Sequence, residues 1–179
     1  MQIEMKRISC CLTFVLILAL LPTVVLHGLS GEPTGSFAFT FRGFTVQGQL
    51  ADATIHPDDT VTVVMILDDT LQTPVGPVPI SGIGEWNGTV RNDSSLSGTF
   101  LLSGIIENAT GTVRVCVLFF CGDANYVAHG TWEGELSGTQ GTGTFQGVIT
   151  FVSSPLPQIP VNKPIALSGT WSSTFQLPS

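Results

Sequence analysis

The stretch that decides the fold is Gly35-Ser-Phe-Ala-Phe-Thr-Phe-Arg-Gly-Phe-Thr-Val-Gln-Gly-Gln-Leu50. Phe37, Phe39 and Phe41 fall on one side of an extended chain, and Ser36, Ala38, Thr40 and Arg42 on the other. After a break at Arg42-Gly43 the rhythm resumes with Phe44, Val46, Gly48 and Leu50. Successive side chains of a strand point to opposite faces, so this period of two is the mark of a half-buried antiparallel strand.

The same rhythm runs through the rest of the chain. Val61, Val63, Met65 and Leu67 alternate with Thr60, Thr62, Val64 and Ile66. Trp132, Gly134 and Leu136 alternate with Thr131, Glu133 and Glu135. Phe145, Gly147, Ile149 and Phe151 form a further set, and Trp171, Ser173, Phe175 and Leu177 another. No sustained helical period follows residue 30. One face apolar and one face polar is the pattern of antiparallel sheets.

Turn chemistry separates the runs. His56-Pro57-Asp58-Asp59 carries proline at the second position of a tight turn. Asn87-Gly88 and Arg91-Asn92-Asp93-Ser94 both read as hairpin connections, of which one is the tip. Asn108 to Gly111, Gly122 to Asn125 and the Gly-rich Ser137 to Thr142 are further turns. Two longer connections, Asp68 to Pro77 and Ser153 to Pro164, hold most of the prolines. The expectation is an all-β meander of eight to nine antiparallel strands. Closing it into a β-barrel removes exposed edges, and a two-sheet β-sandwich is the alternative.

A local echo accompanies the strands. Gly-Thr-aromatic recurs at Gly98-Thr99-Phe100, Gly130-Thr131-Trp132, Gly143-Thr144-Phe145 and Gly169-Thr170-Trp171. Its irregular spacing is not that of a solenoid. A Gly-x-Trp opening a strand resembles the small antiparallel barrels of the calycin type, such as lipocalins and avidins. There the motif marks the first strand; here the first strand lacks it. The resemblance is confined to three-residue snippets, implies a barrel of calycin-like size, and carries no site residues across.

The N-terminus differs in kind. Lys6 and Arg7 precede an apolar run from Ile8 to Leu26, and Gly28 and Ser30 supply small residues at a cleavage position. This is a signal peptide, or a signal anchor if it stays uncut, since the run nearly matches a bilayer of about 30 Å. Residues 31–179 then form a single domain, secreted or held on the outer face of the membrane. The positive-inside tendency leaves Lys6 and Arg7 in the cytoplasm. Any membrane contact runs through residues 8–26.

Beyond residue 30 twelve acidic residues face four basic ones, a net charge of −8. A domain with so few cations has no electrostatic footprint for nucleic acid. Three glycosylation sequons occur, at Asn87, Asn92 and Asn108, to be used only in a host that modifies them.

Cys116 and Cys121 are the two cysteines left after the signal, around the apolar run Val117 to Phe120. On one straight strand their Cα atoms lie about 17 Å apart, against the roughly 4.4–6.8 Å of a disulfide. The run lacks turn residues, which favours a strand, whereas an extracellular setting favours pairing. Both readings stay open. So do two for the apolar run itself: a core strand, or a tip entering a membrane or partner.

Chemistry is sparse. Of the histidines, His56 and His129 remain, and no metalloprotease, nucleophile-elbow or phosphate-loop motif is present. His56 reads as a turn residue, and His129 as a side chain able to enter a barrel interior. Asp58-Asp59 and Asp68-Asp69 flank one strand, too far apart to share an ion. Glu133 and Glu135 share an outer face. No cofactor and no metal are expected. The aromatic inner face points instead to a non-enzymatic barrel binding a small apolar ligand, lined by Phe100, Trp132, Phe145 and Trp171. The alternatives are a structural or adhesive cell-surface module and a cofactor-independent barrel isomerase or cyclase using His129. Oligomeric state is left open.

Overall fold

A computed structural model describes residues 32–73, 76–107, 123–154 and 160–178. Eight strands follow in chain order: β1 (Pro33–Phe41), β2 (Phe44–Ile55), β3 (Thr60–Thr73), β4 (Gly76–Val90), β5 (Ser95–Ile106), β6 (Ala124–Ser137), β7 (Gln140–Ser153) and β8 (Pro164–Thr174). Each pairs antiparallel with the next, and β8 returns to β1 from Gly35↔Ser173 to Thr40↔Ser168. The sheet is therefore a closed barrel, not a sandwich. Cys116, Cys121, Asn108 and the N-terminal apolar run lie outside the described residues.

The alternation is realised as written. Phe37, Phe39 and Phe41 are buried inward, as are Val61, Val63, Met65 and Leu67. Cross-strand rows climb as they circle the barrel. One runs Phe39, Gly169, Phe145, Trp132, Gly98, Gly88, Val61, Ile55. It ends on β2 well beyond Ala51, the residue that faces the start of β1. Such stagger is the geometric condition for closing eight tilted strands, and it leaves an interior about wide enough to be filled by side chains.

Two hairpins at one end share a design. Asp59 and Ser94 take left-handed φ values of 62° and 65° after a tight turn. In each, the residue opening the turn bonds the first residue of the next strand: His56 N–H donates to Thr60 O at 2.8 Å, and Arg91 N–H to Ser95 O at 2.9 Å. The carboxylates of Asp58 and Asp93 accept from the hydroxyl of Thr60 and of Ser95 at 2.6 Å. These turns also tie the barrel end together. Asp59 O accepts from Val90 N–H, Ser94 O from Leu136 N–H and Thr139 O from Phe175 N–H. The tail then crosses to β2, where Gln176 N–H donates to Ala53 O and Gln176 O accepts from Ile55 N–H.

Two sequence expectations are corrected here. Asp68 to Pro77 is not a loop: β3 continues to Thr73 and pairs with β4 from Asp68↔Ser81 to Thr73↔Gly76. Pro77 and Pro79 are tolerated because pairing of β4 with β5 begins only at Ile80↔Ile106, so no ladder donor is needed at either proline. Asp68 and Asp69 thus lie within a strand, and Asp69 accepts from the Gln47 N–H at 2.8 Å. Asn87-Gly88 is the interior of β4, and Arg91 to Ser94 is the hairpin tip.

Candidate functional site

Phe100, Trp132, Phe145 and Trp171 all point into the barrel and are buried. They meet one another in its middle, together with a fifth ring, Trp86. Trp86 stacks on Trp132 with centroids 5.4 Å apart, and stands 5.6 Å from Phe145 and 5.5 Å from Trp171. Phe100 meets Phe145 edge-on at 5.6 Å, and Trp132 meets Trp171 at 5.6 Å. These are contact distances for aromatic pairs. The rings fill this layer of the barrel with each other. Each buried ring contributes roughly 4–6 kcal/mol at about 25 cal/mol per Å2 of area removed from water.

Trp86, which stands outside the four lining rings expected from the sequence, is the hub of this cluster. That role follows from register: Trp86 pairs with Phe100 only once Arg91 to Ser94 is the tip.

Glycines make the floor for these rings. Trp171 lies across the cross-strand pair Gly134↔Gly143, where a Cβ on Gly134 would fall 2.4 Å from its Cζ2. Its Nε1 then reaches the Glu133 carbonyl at 3.2 Å. Trp132 lies over Gly88↔Gly98 and donates to Thr99 O at 3.2 Å. Tyr126 lies over Gly82↔Gly104, and its hydroxyl donates to Ser81 O at 2.9 Å. Burial pushes the Tyr126 phenol far above its ordinary value of 10.0. Trp86 has no such floor, because its cross-strand neighbours are Val63 and Phe100. Its Nε1 is buried with no hydrogen-bond partner among the described residues. A buried donor left unpaired costs about 1–3 kcal/mol.

Around Thr99, Thr131, Thr144 and Thr170 the outer face of β5 to β8 is polar. An open groove of about 720 Å3 crosses it, bordered by Thr99, Thr131, Glu133, Thr144, Gln146 and Thr170. The interior is an apolar core, the reverse of the polar lumen of a membrane-spanning barrel.

His129 is corrected: it is exposed on the outer face of β6, not inside the barrel. Trp132 points inward, so the residue three positions earlier points outward. An isomerase or cyclase mechanism built on an interior His129 loses its acid or base. His56 is half-buried beside its turn, with Nε2 3.0 Å from Thr62 Oγ1. Glu133 and Glu135 are exposed on the outer face. Asn87 and Asn92 are exposed, the first within β4 and the second at a turn tip. Among the described residues no cluster of three or more His, Cys, Asp or Glu side chains is placed to hold a metal ion.

No protein-family model matches the chain, no curated protein is detectably similar to it, and no solved structure matches its barrel.

Proposed function

We propose that this chain is an exported, non-catalytic β-barrel module, secreted or surface-tethered, that acts structurally or adhesively through its outer face. The observation that carries this reading is the mutual contact of Trp86, Trp132, Trp171, Phe145 and Phe100 in the barrel centre. A barrel that spends its largest side chains on one another gains rigidity rather than room. Export rests on Lys6, Arg7 and the run Ile8 to Leu26, which precede the barrel. The test is titration with an apolar fluorescent probe, followed by native mass spectrometry after exposure to a lipid extract. No saturable binding and no retained lipid is expected. Stoichiometric retention overturns the reading.

A second reading, a small apolar ligand held inside a barrel of the strand number found in calycin-type proteins, has one observation in its favour. The unpartnered Nε1 of Trp86 is a buried donor suited to a single acceptor oxygen. In that case Phe100, Trp132, Phe145 and Trp171 part to line the ligand. Retention by the wild type that is weakened at least tenfold in W86F distinguishes this reading from the first.

A further inference from the structure

The outer face of the barrel is not uniform. Where β3 to β7 pass above the polar groove, six outward positions are apolar: Val64, Ile66, Ile83, Leu101, Val127 and Val148. Leu101 is 55% exposed and Ile83 37%. The registers knit them into two neighbouring cross-strand rows. One runs Ile66, Ile83, Ser103, Val127, and the other Val64, Glu85, Leu101, His129, Val148. Leu101 and Ile83 are exposed large apolar side chains on neighbouring strands, and apolar side chains gathered on a surface mark an interaction site.

The second row has an apolar residue at its centre and at each end, with a carboxylate on one side of the centre and an imidazole on the other. Leu101 is at its centre, Glu85 is one strand away on one side and His129 one strand away on the other. Within one chain these two side chains are rooted about 10 Å apart, two strand spacings of roughly 4.8 Å. Neither has a hydrogen bond or ion pair among the described residues. A second copy laid face to face, with a two-fold axis along β5 over Leu101, exchanges the two sides. Leu101 then meets Leu101, Glu85 meets His129, His129 meets Glu85, and Ile83 meets Val127. A two-fold contact requires a surface complementary to itself, and this row has that property: the Glu85 carboxylate accepts, an N–H of the His129 imidazole donates, and Leu101 between them is apolar. An unrelated partner would have to supply a hydrogen-bond donor, a carboxylate acceptor and an apolar centre in the same spacing. The chain already carries all three.

We propose that the protein forms a two-fold dimer through the outer face of β4 to β6, with Leu101 on the axis and Glu85 of each copy paired with His129 of the other. Two convex barrels touch along a strip, so the interface belongs to the small class, below about 1,200 Å2, and the dimer is reversible.

Sedimentation equilibrium of the purified protein from micromolar to millimolar concentration, with reductant present so that no cysteine-linked dimer is counted, tests this. The expected result is a mass that climbs toward twice the monomer. L101R holds the protein monomeric throughout, with unchanged circular dichroism because the side chain is exposed. H129E, which sets Glu against Glu, weakens association at least tenfold, and the exchange variant E85H/H129E restores it. A wild type that stays monomeric overturns the proposal. So does a dimer indifferent to L101R, or one broken by H129E that the exchange variant fails to restore.

Discussion

Trp86 and Trp132 stack at the barrel centre with planes 21° from parallel, yet only the Trp132 indole has its N–H bonded. The difference lies in what flanks each residue. Beside Trp132 the pair Gly98↔Gly88 leaves the Thr99 carbonyl within reach, whereas Val63 and Phe100 leave Trp86 none. Replacing either by Phe opens a similar gap, so the comparison isolates the hydrogen bond. W132F is expected to be less stable than W86F by about 1–3 kcal/mol in urea unfolding. Truncation of either to Ala costs about 3–5 kcal/mol. The reverse order for the two Phe variants means that Trp86 has an acceptor, and it moves weight to the ligand reading.

The glycine floors make a second expectation. A methyl group on Gly143 would fall 2.0 Å from Glu133 O and 2.8 Å from Trp171 Nε1. Backbone cannot yield that far, so the strand pair must separate or Trp171 must leave its seat. G143A should lose more than about 3 kcal/mol or fail to fold. Gly138 is the matched control. Its Cβ position is open, and only its φ of 62° opposes a side chain. G138A should cost about 1 kcal/mol. Thermal unfolding of the two variants measures the contrast.

Much of this architecture is written in the chain, and the reasons for the gaps are physical. Period two states directly which residues share a face, so the inward set around Phe37, Trp132 and Trp171 could be read off. The outward place of His129 was available from the same parity, three residues before Trp132. Closure was not available, because a sandwich and a barrel show identical alternation. They differ only in whether β8 finds β1, a pairing between residues far apart in sequence. Aspartate hid the end of β3 and proline the start of β4: aspartate favours turns through its side chain, and proline lacks a donor that β4 does not need before Ile80. Ring contact depends on register, which no local pattern specifies.

Asp58 and Asp93 each hold a hairpin by accepting from the next strand's hydroxyl and N–H. These bonds, first that of the Thr60 hydroxyl and of the Ser95 hydroxyl, keep both carboxyls below the ordinary 3.8. A carboxyl more acidic when folded stabilises the fold above its unfolded value and loses that contribution as the folded value is passed on acidification. Stability should therefore be flat at neutral pH and decline as pH falls below about 3.8. D58N/D93N should melt slightly lower than wild type at pH 7 and show a shallower acid limb. Calorimetry from pH 7 to pH 2 decides it; parallel curves for the two proteins would falsify the assignment.

Tyr126 offers the opposite limb with a clean signal, because it is the one tyrosine in the chain. Its hydroxyl bonds Ser81 O over the Gly82↔Gly104 floor, and desolvation raises its ionisation far above 10.0. A phenol harder to ionise when folded leaves stability intact below its unfolded value and erodes it as pH rises beyond that value toward the folded one. Absorbance at the phenolate band should thus stay absent as pH climbs past 10 and appear only together with loss of the tryptophan fluorescence of the folded core. Y126F should lose about 1 kcal/mol at neutral pH from the missing bond to Ser81 O, yet decline less steeply under alkali. Phenolate appearing near pH 10 in a protein that stays folded would place the ring at the surface and break the floor-and-ring account of the core.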